Sequence, residues 1–398
     1  MITKAIIQKM FNAASMQRWN DKIRPVELRE LDKQAHKMII AFILGKIEEH
    51  SGRAGFDWIR LIEGGIFEFF YRTVLTDLKP QLFDRISENR FLYAKINEWV
   101  VSQIEPVLKS VDKGLFSRFE EYILAEREDI NKDILGAAHA YATDWEFSII
   151  ERFNPQGFEI NEIKRKLGKR KEKYRDLRCM QQLAFNFDLK DFINLCGELR
   201  FQIRWSHVAL FPRTSVLGHL LIVAILVYLL SIEVGACEKR IKNNFFTGLF
   251  HDLPEVLTRD IIDPIKRSVE GLGELIKDYE KEEMEKKIYK LLPDTWHPEI
   301  RMYTESEFEN QIEIEGRKVS LTLDEINQKY NHNLYNPRDG ELVRVADHIA
   351  AFMEAQLAVT NGIQNRELLG AIDHIKKKYE NYSLSGISFY SFFNDFAE

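Results

Sequence analysis

The sequence predicts an all-α protein, and two observations carry this prediction. Apolar residues recur at three- and four-residue spacing over stretches such as Lys33–Glu49, Ser87–Val101 and Leu342–Val359, which is the period of a helix with one buried face. Clusters of Asn, Pro and Gly interrupt the pattern, as at 154–157 and 336–340, and such clusters form turns. We therefore expect helices joined by short connections.

One segment has the alternation of a strand instead. Between Gln311 and Leu323, apolar and polar residues alternate on both sides of Glu315-Gly316-Arg317. Alternation of this kind suits a strand with one buried face, and a glycine between two such runs favours a tight turn. The sequence therefore predicts a small β-hairpin inserted among the helices of the C-terminal half.

Length and composition exclude several classes of protein. The chain has 398 residues, 45% of them hydrophobic, and a formal charge of −6, so it can bury a large core and lacks the basic excess of a nucleic-acid coat. The longest apolar run, Leu220–Leu230, has eleven residues, which is too short to cross a bilayer and is typical of a core helix. The cysteines Cys179, Cys196 and Cys237 form no close pair and no metal spacing, which favours a reducing compartment. We expect a cytoplasmic protein with no secretion signal and no nucleic-acid or membrane partner.

The two halves of the chain share residues at a nearly constant offset of 183. The matched pairs are His36 with His219, Gly52 with Gly235, Gly65 with Gly248, Phe67 with Phe250, and Asp77 with Asp260. The dipeptide Arg18-Trp19 precedes the first set much as Arg204-Trp205 precedes the second. This pattern predicts a diverged duplication, with one helical domain at 1–160, a linker at 161–198 and a second domain at 199–398.

The predicted linker contains a strongly basic segment. Between Lys164 and Arg178, nine basic residues stand against two acidic ones. Runs of charge on a helix are usually solvated faces, so we interpret this segment as a linker helix. A phosphate-binding patch is the alternative.

The residues around position 251 can bind a divalent ion. His251 and Asp252 are adjacent and offer an imidazole nitrogen and a carboxylate oxygen, a mixed set that borderline metals accept. Glu255 follows four residues after His251, so on a continuous helix its carboxylate shares that face and exchanges protons beside the ion. His219 lies in the most apolar segment and Asp347 on a largely apolar stripe. Both need a polar partner there, which makes them the candidates for the remaining ligands.

The order of these candidates along the chain (histidine, histidine-aspartate, aspartate) is that of the HD superfamily of metal-dependent phosphohydrolases, which this region resembles. More closely, Arg204–Glu354 is similar to the YfbR-like 5′-deoxynucleotidases. The matched residues are Arg204-Trp205, Arg213-Thr214, Val216, His219, His251-Asp252, Glu255-Val256-Leu257-Thr258, Asp260, Pro264, Lys266 and Val345-Ala346-Asp347. The run from 251 to 266 is the most specific part, because chemically distinct residues keep their spacing there.

The resemblance implies a ligand set and a fold. One divalent ion of Mn, Co, Mg, Zn, Fe or Ni is implied, with four ligands: His219, His251, Asp252 and Asp347. The implied fold is a tandem of HD-like helical domains, of which the second binds the metal. Taken alone, His219 also fits a satisfied core histidine, and Asp347 also fits a helix cap or a buried ion pair.

The resemblance also implies how substrate is bound and hydrolysed. Glu255 is implied to assist proton transfer at the ion held by Asp252, and Arg204 to contact the phosphate. Trp205 is implied to pack near the sugar or base, and Asp260 to contact the deoxyribose hydroxyl. The implied reaction is hydrolysis of a phosphate monoester, with a nucleoside or deoxynucleoside 5′-monophosphate as the favoured substrate. Stacking at a surface is the alternative for the Arg-Trp pair, and an exposed helix carboxylate the alternative for Glu255.

Two departures from the family bear on the substrate and on the environment of the metal. Gly218 precedes His219 where the family usually has an acid, which affects the groups behind the ligand. The segment between Leu292 and Asp339 is an insertion, which can reshape the pocket.

The first half lacks the ligand set. Its residues at the positions of His251, Asp252, Glu255 and Asp347 are, in that order, Glu68, Phe69, Arg72 and His139. We therefore interpret it as a catalytically dead copy that packs on the active half in place of a second subunit, an intrachain pseudo-dimer within a monomer or homodimer.

Two other functions stay open on the sequence. An HD phosphodiesterase or nucleoside triphosphate hydrolase is one, although those reactions often need a second metal or additional histidines, which the sequence does not place near Glu255. A regulatory or scaffold protein that keeps the geometry without activity is the other.

Overall fold

The computed structural model describes residues 2–76, 78–125, 128–261 and 269–396. Helices dominate it, which confirms the predicted all-α fold, and the described strands form short antiparallel hairpins. The helices are α1 Lys4–Ser15, α2 Glu30–His50, α3 Trp58–Val74, α4 Pro80–Glu88, α5 Arg90–Val111, α6 Lys113–Leu124, α7 Ile130–Phe153, α8 Ile160–Glu172, α9 Arg178–Phe185, α10 Phe187–Glu198, α11 Val216–Glu233, α12 Glu238–Phe250, α13 Glu255–Thr258, α14 Leu272–Glu283, α15 His297–Thr304, α16 Leu323–Glu325, α17 Gly340–Thr360, α18 Arg366–Tyr379 and α19 Tyr390–Asp395. The strands are β1 Gln17–Arg18, β2 Leu28–Arg29, β3 Gln311–Ile314, β4 Arg317–Ser320, β5 Ser383–Leu384 and β6 Ile387–Ser388.

The predicted helix and hairpin segments differ from the structure at one point. The helix expected over 87–101 is split at Asn89, whose side chain accepts a hydrogen bond from the backbone N–H of Leu92 and so begins α5. Asparagine is a strong N-cap, and this capping interrupts the apolar period. The hairpin β3–β4 is confirmed, with a two-residue turn in which Glu315 and Gly316 both have positive φ, at 49° and 75°, as the favoured hairpin turn requires.

Helix α11 is the centre of the C-terminal half. It is long and apolar enough to cross a membrane by length and composition, but 89% of it is buried inside the protein. It packs against α2, α12 and α17, so its apolar surface is covered on all sides by other helices. Ser215 caps its first turn by accepting the backbone N–H of Gly218 at 2.9 Å, which fixes where the helix begins.

The two halves share one core. A continuous cluster of buried apolar side chains runs from α2 through α11 to α17. At the contact between halves, the Phe42 ring lies 4.8 Å from that of Phe246 and 5.1 Å from that of Phe250. Tyr228 donates a 2.6 Å hydrogen bond to Glu63 in the same interface. Such packing positions α11, and therefore His219, against the N-terminal half.

Several local features occur once in each half. They are the antiparallel pairs Gln17–Arg29 and Ile203–Ser215, the left-handed Trp19 and Trp205 with φ of 55° each, and the left-handed Gly52 and Gly235 with φ of 64° each. The strand pairs and the tryptophans are related by an offset of 186 residues, whereas the glycines are related by an offset of 183. The offset changes because α2 has 21 residues and α11 has 18.

This difference in helix length corrects one predicted correspondence. Lys33, and not His36, stands where His219 stands in the other half, since its Nζ lies 2.5 Å from Nδ1 of His139. In the C-terminal half the matching distance is 3.0 Å, from His219 Nε2 to Asp347 Oδ1. His36 instead makes a 2.9 Å hydrogen bond with the carbonyl oxygen of Ile193. The offset of 183 is therefore wrong for the beginning of α2.

Candidate metal centre

His219 lies in the first turn of α11 and is fully buried. Its Nε2 is 3.0 Å from Asp347 Oδ1, and its Nδ1 is 3.5 Å from Glu354 Oε1 on the same helix α17. A carboxylate behind one ring nitrogen of a histidine fixes the ring and leaves the other nitrogen for a metal. The helix therefore presents His219 as a ligand with its support already in place.

His251 follows the last residue of α12. Its Nδ1–H donates to the carbonyl oxygen of Gly248 at 3.0 Å, which leaves Nε2 for an ion. The expectation that His251 and Glu255 share one continuous helix is wrong, because α12 ends at Phe250 and Glu255 begins the separate turn α13. Pro254 has no N–H for a helical hydrogen bond, so the chain turns here.

The structure brings the four predicted ligands together. Single donor atoms of His219, His251 and Asp347 all lie within 4.8 Å of one another. The carboxylate of Asp252 adds Oδ2 at 3.3 Å from His251 Nε2 and 3.9 Å from His219 Nε2. Metal–ligand bonds of about 2.1 Å place the donors of one ion about 3 to 4 Å apart, so these separations suit a single cation.

The donor set fits such an ion. The Nε2 atoms of His219 and His251 are buried, and among the described residues neither has a partner in hydrogen-bond geometry, although carboxylate oxygens lie 3.0 Å and 3.3 Å away. Burying a polar atom without a hydrogen bond costs free energy, and a cation bound to both Nε2 atoms would remove that cost. Two imidazoles and two carboxylates form a mixed nitrogen and oxygen set that suits a borderline divalent metal.

Charge coupling within this cluster is strong. Burial opposes ionisation of Asp252, but His251 and then His219 hold its pKa at about 2. Burial likewise opposes protonation of His251, but Asp252 and then Asp347 raise its pKa to about 9. Without an ion the imidazoles therefore hold protons that the carboxylates stabilise. Metal binding displaces these protons, so metal affinity increases with pH.

Glu354 is a central residue of the site that sequence reasoning missed. Its fully buried carboxylate accepts hydrogen bonds from Arg204 Nε at 3.2 Å, Trp205 Nε1 at 2.9 Å and Thr214 Oγ1 at 2.8 Å. Burial opposes its ionisation, but Arg204 and then His219 hold its pKa at about 2. It lies two helical turns after Asp347 on the same face, and that spacing was the available signal.

Arg204 lies beside the candidate ligand Asp252, and Trp205 follows it in the chain. Arg204 Nη1 is 3.7 Å from Asp252 Oδ2. Burial lowers the pKa of its guanidinium, but Glu354 and then Asp260 more than compensate and raise it. Asp260 is therefore close enough to Arg204 to interact with its charge.

Glu255 and the end of the predicted motif complete the local picture. Glu255 is buried, and its carbonyl oxygen accepts a hydrogen bond from Gln202 Nε2 at 3.0 Å. Pro264 and Lys266 lie outside the described residues, as does Asp77 of the first half.

The insertion forms one wall of the site. The Phe308 ring is 6.2 Å from the His251 ring, and burial raises the pKa of the adjacent Glu307, which is close enough to interact with the charge of His251. Fully buried Arg338 holds this loop by donating to the carbonyl oxygens of Ser306 at 2.6 Å and Glu309 at 2.9 Å. The insertion has no recognisable motif, so this contact could not be predicted from the amino-acid sequence.

Gly218 has a structural explanation in the N-terminal half. A Cβ built on Gly218 would lie 2.8 Å from Asp32 Oδ1, so Asp32 of α2 fills the space that a side chain at position 218 would occupy. The same Asp32 oxygen accepts a 2.6 Å hydrogen bond from Ser215 Oγ, the cap of α11. The N-terminal half thus supports the turn that carries His219.

Comparison with known families agrees with this site. Residues 196–376 match the family model of the HD domain, a segment that contains all four predicted ligands. No curated protein matches the chain. The match supports an HD domain over this segment, and HD domains are generally hydrolases that bind divalent metals.

Proposed function

We propose that this protein is a metal-dependent phosphohydrolase that cleaves a phosphate monoester, with a nucleoside or deoxynucleoside 5′-monophosphate as substrate. The observation that carries the proposal is the convergence of His219, His251, Asp252 and Asp347 with both histidine Nε2 atoms buried and, among the described residues, without a partner in hydrogen-bond geometry. These four residues would hold the ion. When bound, a divalent cation lowers the pKa of water and neutralises phosphate charge.

Arg204 is the phosphate-binding residue in this proposal. Its guanidinium matches the forked geometry of a phosphate, and Glu354 fixes its direction from behind. Because Arg204 Nη1 already lies 3.7 Å from Asp252, a phosphate bound there lies next to the ligand cluster. The Asp252–Arg204 contact therefore links phosphate binding to the metal centre.

Glu255 is the proton-transfer residue. It begins α13 directly after the turn that contains His251 and Asp252, and its side chain is buried. A buried carboxylate at this place can accept a proton from the attacking water and return it to the leaving 5′-oxygen. Asp252 would contribute as a ligand of the ion.

Trp205, Asp260 and Phe308 form the proposed boundary of the nucleoside pocket. Trp205 is fixed by its hydrogen bond to Glu354, Asp260 is half-buried near Arg204, and Phe308 comes from the insertion. Trp205 and Asp260 suit contacts with a base and a sugar, and Phe308 belongs to the insertion. We propose that Phe308 and Glu307 alter the substrate preference relative to chains without the insertion.

A phosphate-release screen tests the proposed function. The full-length protein is incubated with nucleoside mono-, di- and triphosphates and a phosphodiester in the presence of Mn²⁺, Co²⁺ or Mg²⁺, and inorganic phosphate and pyrophosphate are measured separately. Inorganic phosphate from a monophosphate supports the proposal. Release of pyrophosphate, or cleavage of the diester alone, identifies instead a triphosphate hydrolase or a phosphodiesterase.

Metal analysis of the same preparation separates an enzyme from a scaffold. We expect one divalent ion per chain, and none in an Asp252→Ala variant. A chain that gains no ion on titration contradicts both the metal centre and the enzyme.

We also propose that the N-terminal half serves as a built-in partner for the C-terminal half. The shared core supports this arrangement, as does Glu299, which bridges Lys46 of α2 at 2.7 Å and Lys242 of α12 at 2.8 Å. A fragment from residue 195 onward tests it. A stable and fully active fragment would contradict the proposal.

A further inference from the structure

We propose that the N-terminal half binds a phosphate-bearing anion without any metal, at the place that corresponds to the metal centre. This site, the N-terminal pocket, is formed by Arg18, Lys33, Arg72 and His139. It is distinct from the catalytic site, and its ligand is inorganic phosphate or the phosphate group of a nucleotide.

The frame of the N-terminal pocket repeats that of the catalytic site. The buried Glu146 accepts hydrogen bonds from Arg18 Nε at 2.8 Å and from Trp19 Nε1 at 2.9 Å. This is the arrangement that Glu354 makes in the C-terminal half, and both tryptophans have the same left-handed backbone. An arginine is therefore held at the position proposed to bind phosphate in the other half.

The ligand positions of the N-terminal pocket have lost their affinity for metal. Lys33 replaces the first histidine, Glu68 the second, and Phe69 has no donor atom at all. Lys33 is fully buried, and its Nζ lies 2.5 Å from His139, the residue at the position of Asp347. The amine of a lysine thus lies where the catalytic site gathers ligands for a cation, and burial lowers its pKa against the opposing charge of Glu30.

The acidic residues near Lys33 form their ion pairs with other residues. Glu30 pairs with Arg18 at 2.6 Å, Glu68 with Lys37 at 2.9 Å, and Glu146 with Arg18 and Arg200. In the described ranges of the chain, Lys33 has no carboxylate within ion-pair distance. Glu30 is nevertheless close enough to interact with the charge of Lys33. An anion bound at this position would add a further counter-charge and favour the protonated amine.

Two residues of the N-terminal pocket are partly exposed. The Arg72 side chain is 29% exposed, and its Nε is 3.6 Å from Glu30. The His139 side chain is half-buried. Guanidinium and ammonium groups donate strong, charge-assisted hydrogen bonds to phosphate oxygens. Arg72 and Lys33 both interact with the charge of Glu30, and they are the proposed contacts of one phosphate.

Calorimetric titration of the metal-free, full-length protein tests this proposal. Inorganic phosphate and a nucleoside 5′-monophosphate are titrated separately into the wild type and into an Arg204→Gln variant, which lacks the proposed phosphate contact of the catalytic site. We expect Arg204→Gln to keep a binding site, and Arg72→Gln to weaken it at least tenfold. Both tighter and equal binding of the nucleotide, compared with phosphate, support the pocket. Tighter binding indicates a nucleotide effector, and equal binding indicates recognition of the phosphate group alone.

Lys33→Met and an exposed control variant make the test decisive. Lys33→Met keeps the volume of a buried chain and should abolish binding, with thermal unfolding measured alongside to show that the variant is folded. Arg175→Gln removes an exposed arginine far along the chain and should leave binding unchanged. Absence of any binding overturns the proposal, and so does binding that is lost in Arg204→Gln and retained in Arg72→Gln.

Discussion

The two halves of the molecule build the same frame around different chemistry. In each half an arginine and a left-handed tryptophan donate to one buried glutamate, Glu146 in the first and Glu354 in the second. In front of that frame the second half places two imidazoles and two carboxylates, whereas the first half places Lys33 beside His139. The frame therefore depends on the backbone and on one buried acid. The residues in front of the frame can differ while the frame stays the same.

The substitutions in the first half preserve charge compensation in a different form. An ion and its acidic ligands are replaced by Lys33 together with paired glutamates and arginines. Buried charge survives in a core only when it is paired or bound. A polar interior is therefore retained in both halves, although only one has a donor set for a metal.

Exchanging the residues at the first ligand position between the two halves should have the largest effect. We expect His219→Lys to abolish metal binding and to reduce phosphate release by at least about 10³-fold, because an ammonium group occupies the place of the ion and cannot activate water. Metal content and initial rate are the measurements. The reciprocal Lys33→His should not create a metal site, since Phe69 still offers no donor, and a metal bound there would contradict our correspondence.

Removing the proton-transfer residue should have the next largest effect. Glu255→Gln is expected to lower kcat about 10²- to 10⁴-fold, as loss of a general acid or base does, while metal content stays unchanged. The exposed Glu238 at the beginning of α12 supplies the matched control Glu238→Gln. Full activity in Glu255→Gln would remove this residue from the mechanism.

The two frame glutamates should differ in what their loss affects. Glu354→Gln is expected to weaken metal binding about 10- to 100-fold, because it removes the carboxylate behind His219. Glu146→Gln should leave metal affinity unchanged and lower only the free energy of unfolding. Metal titration and urea unfolding of both variants measure this, and equal metal affinities in the two would contradict the supporting role of Glu354.

The smallest expected effect concerns Asp32, which meets Gly218 between the halves. Burial raises the pKa of Asp32 above its ordinary value, against the opposing charge of Arg200. The folded state therefore keeps the proton to higher pH than the unfolded state, so this group makes the protein less stable as pH rises from the unfolded pKa through the folded one.

Asp32→Asn should remove that contribution, because the amide does not titrate. Urea unfolding of wild type and variant from pH 4 upward measures the difference. The variant should gain stability relative to the wild type as pH increases, and a constant difference would contradict the assignment.

The sequence was most informative where a residue was chemically out of place. His219 in an apolar helix, Asp347 on an apolar stripe and the adjacent His251-Asp252 could be found because such groups need partners. The helical fold and the hairpin followed from periodicity.

Other features depend on three-dimensional contacts that no spacing announces. The position of Lys33 follows from the three additional residues of α2, which shift the register of one helix against its counterpart. Phe308 lies beside His251 in a loop of the insertion whose backbone accepts hydrogen bonds from Arg338. The spacing of Glu354 from Asp347 was a signal that the two residues share one helix face, but the hydrogen bonds of Glu354 with Arg204 and Trp205 are visible only in the folded chain.

The meeting of Asp32 with Gly218 has a consequence for how this architecture can change. The two positions directly precede Lys33 and His219, and they share space for one side chain only. If two identical copies met in this way, both would have to carry the same residue there, and either two acids would collide or neither copy would have one. A single continuous polypeptide escapes that symmetry, and once one half has specialised as the donor of the acid, neither half can return to self-pairing without changing both positions.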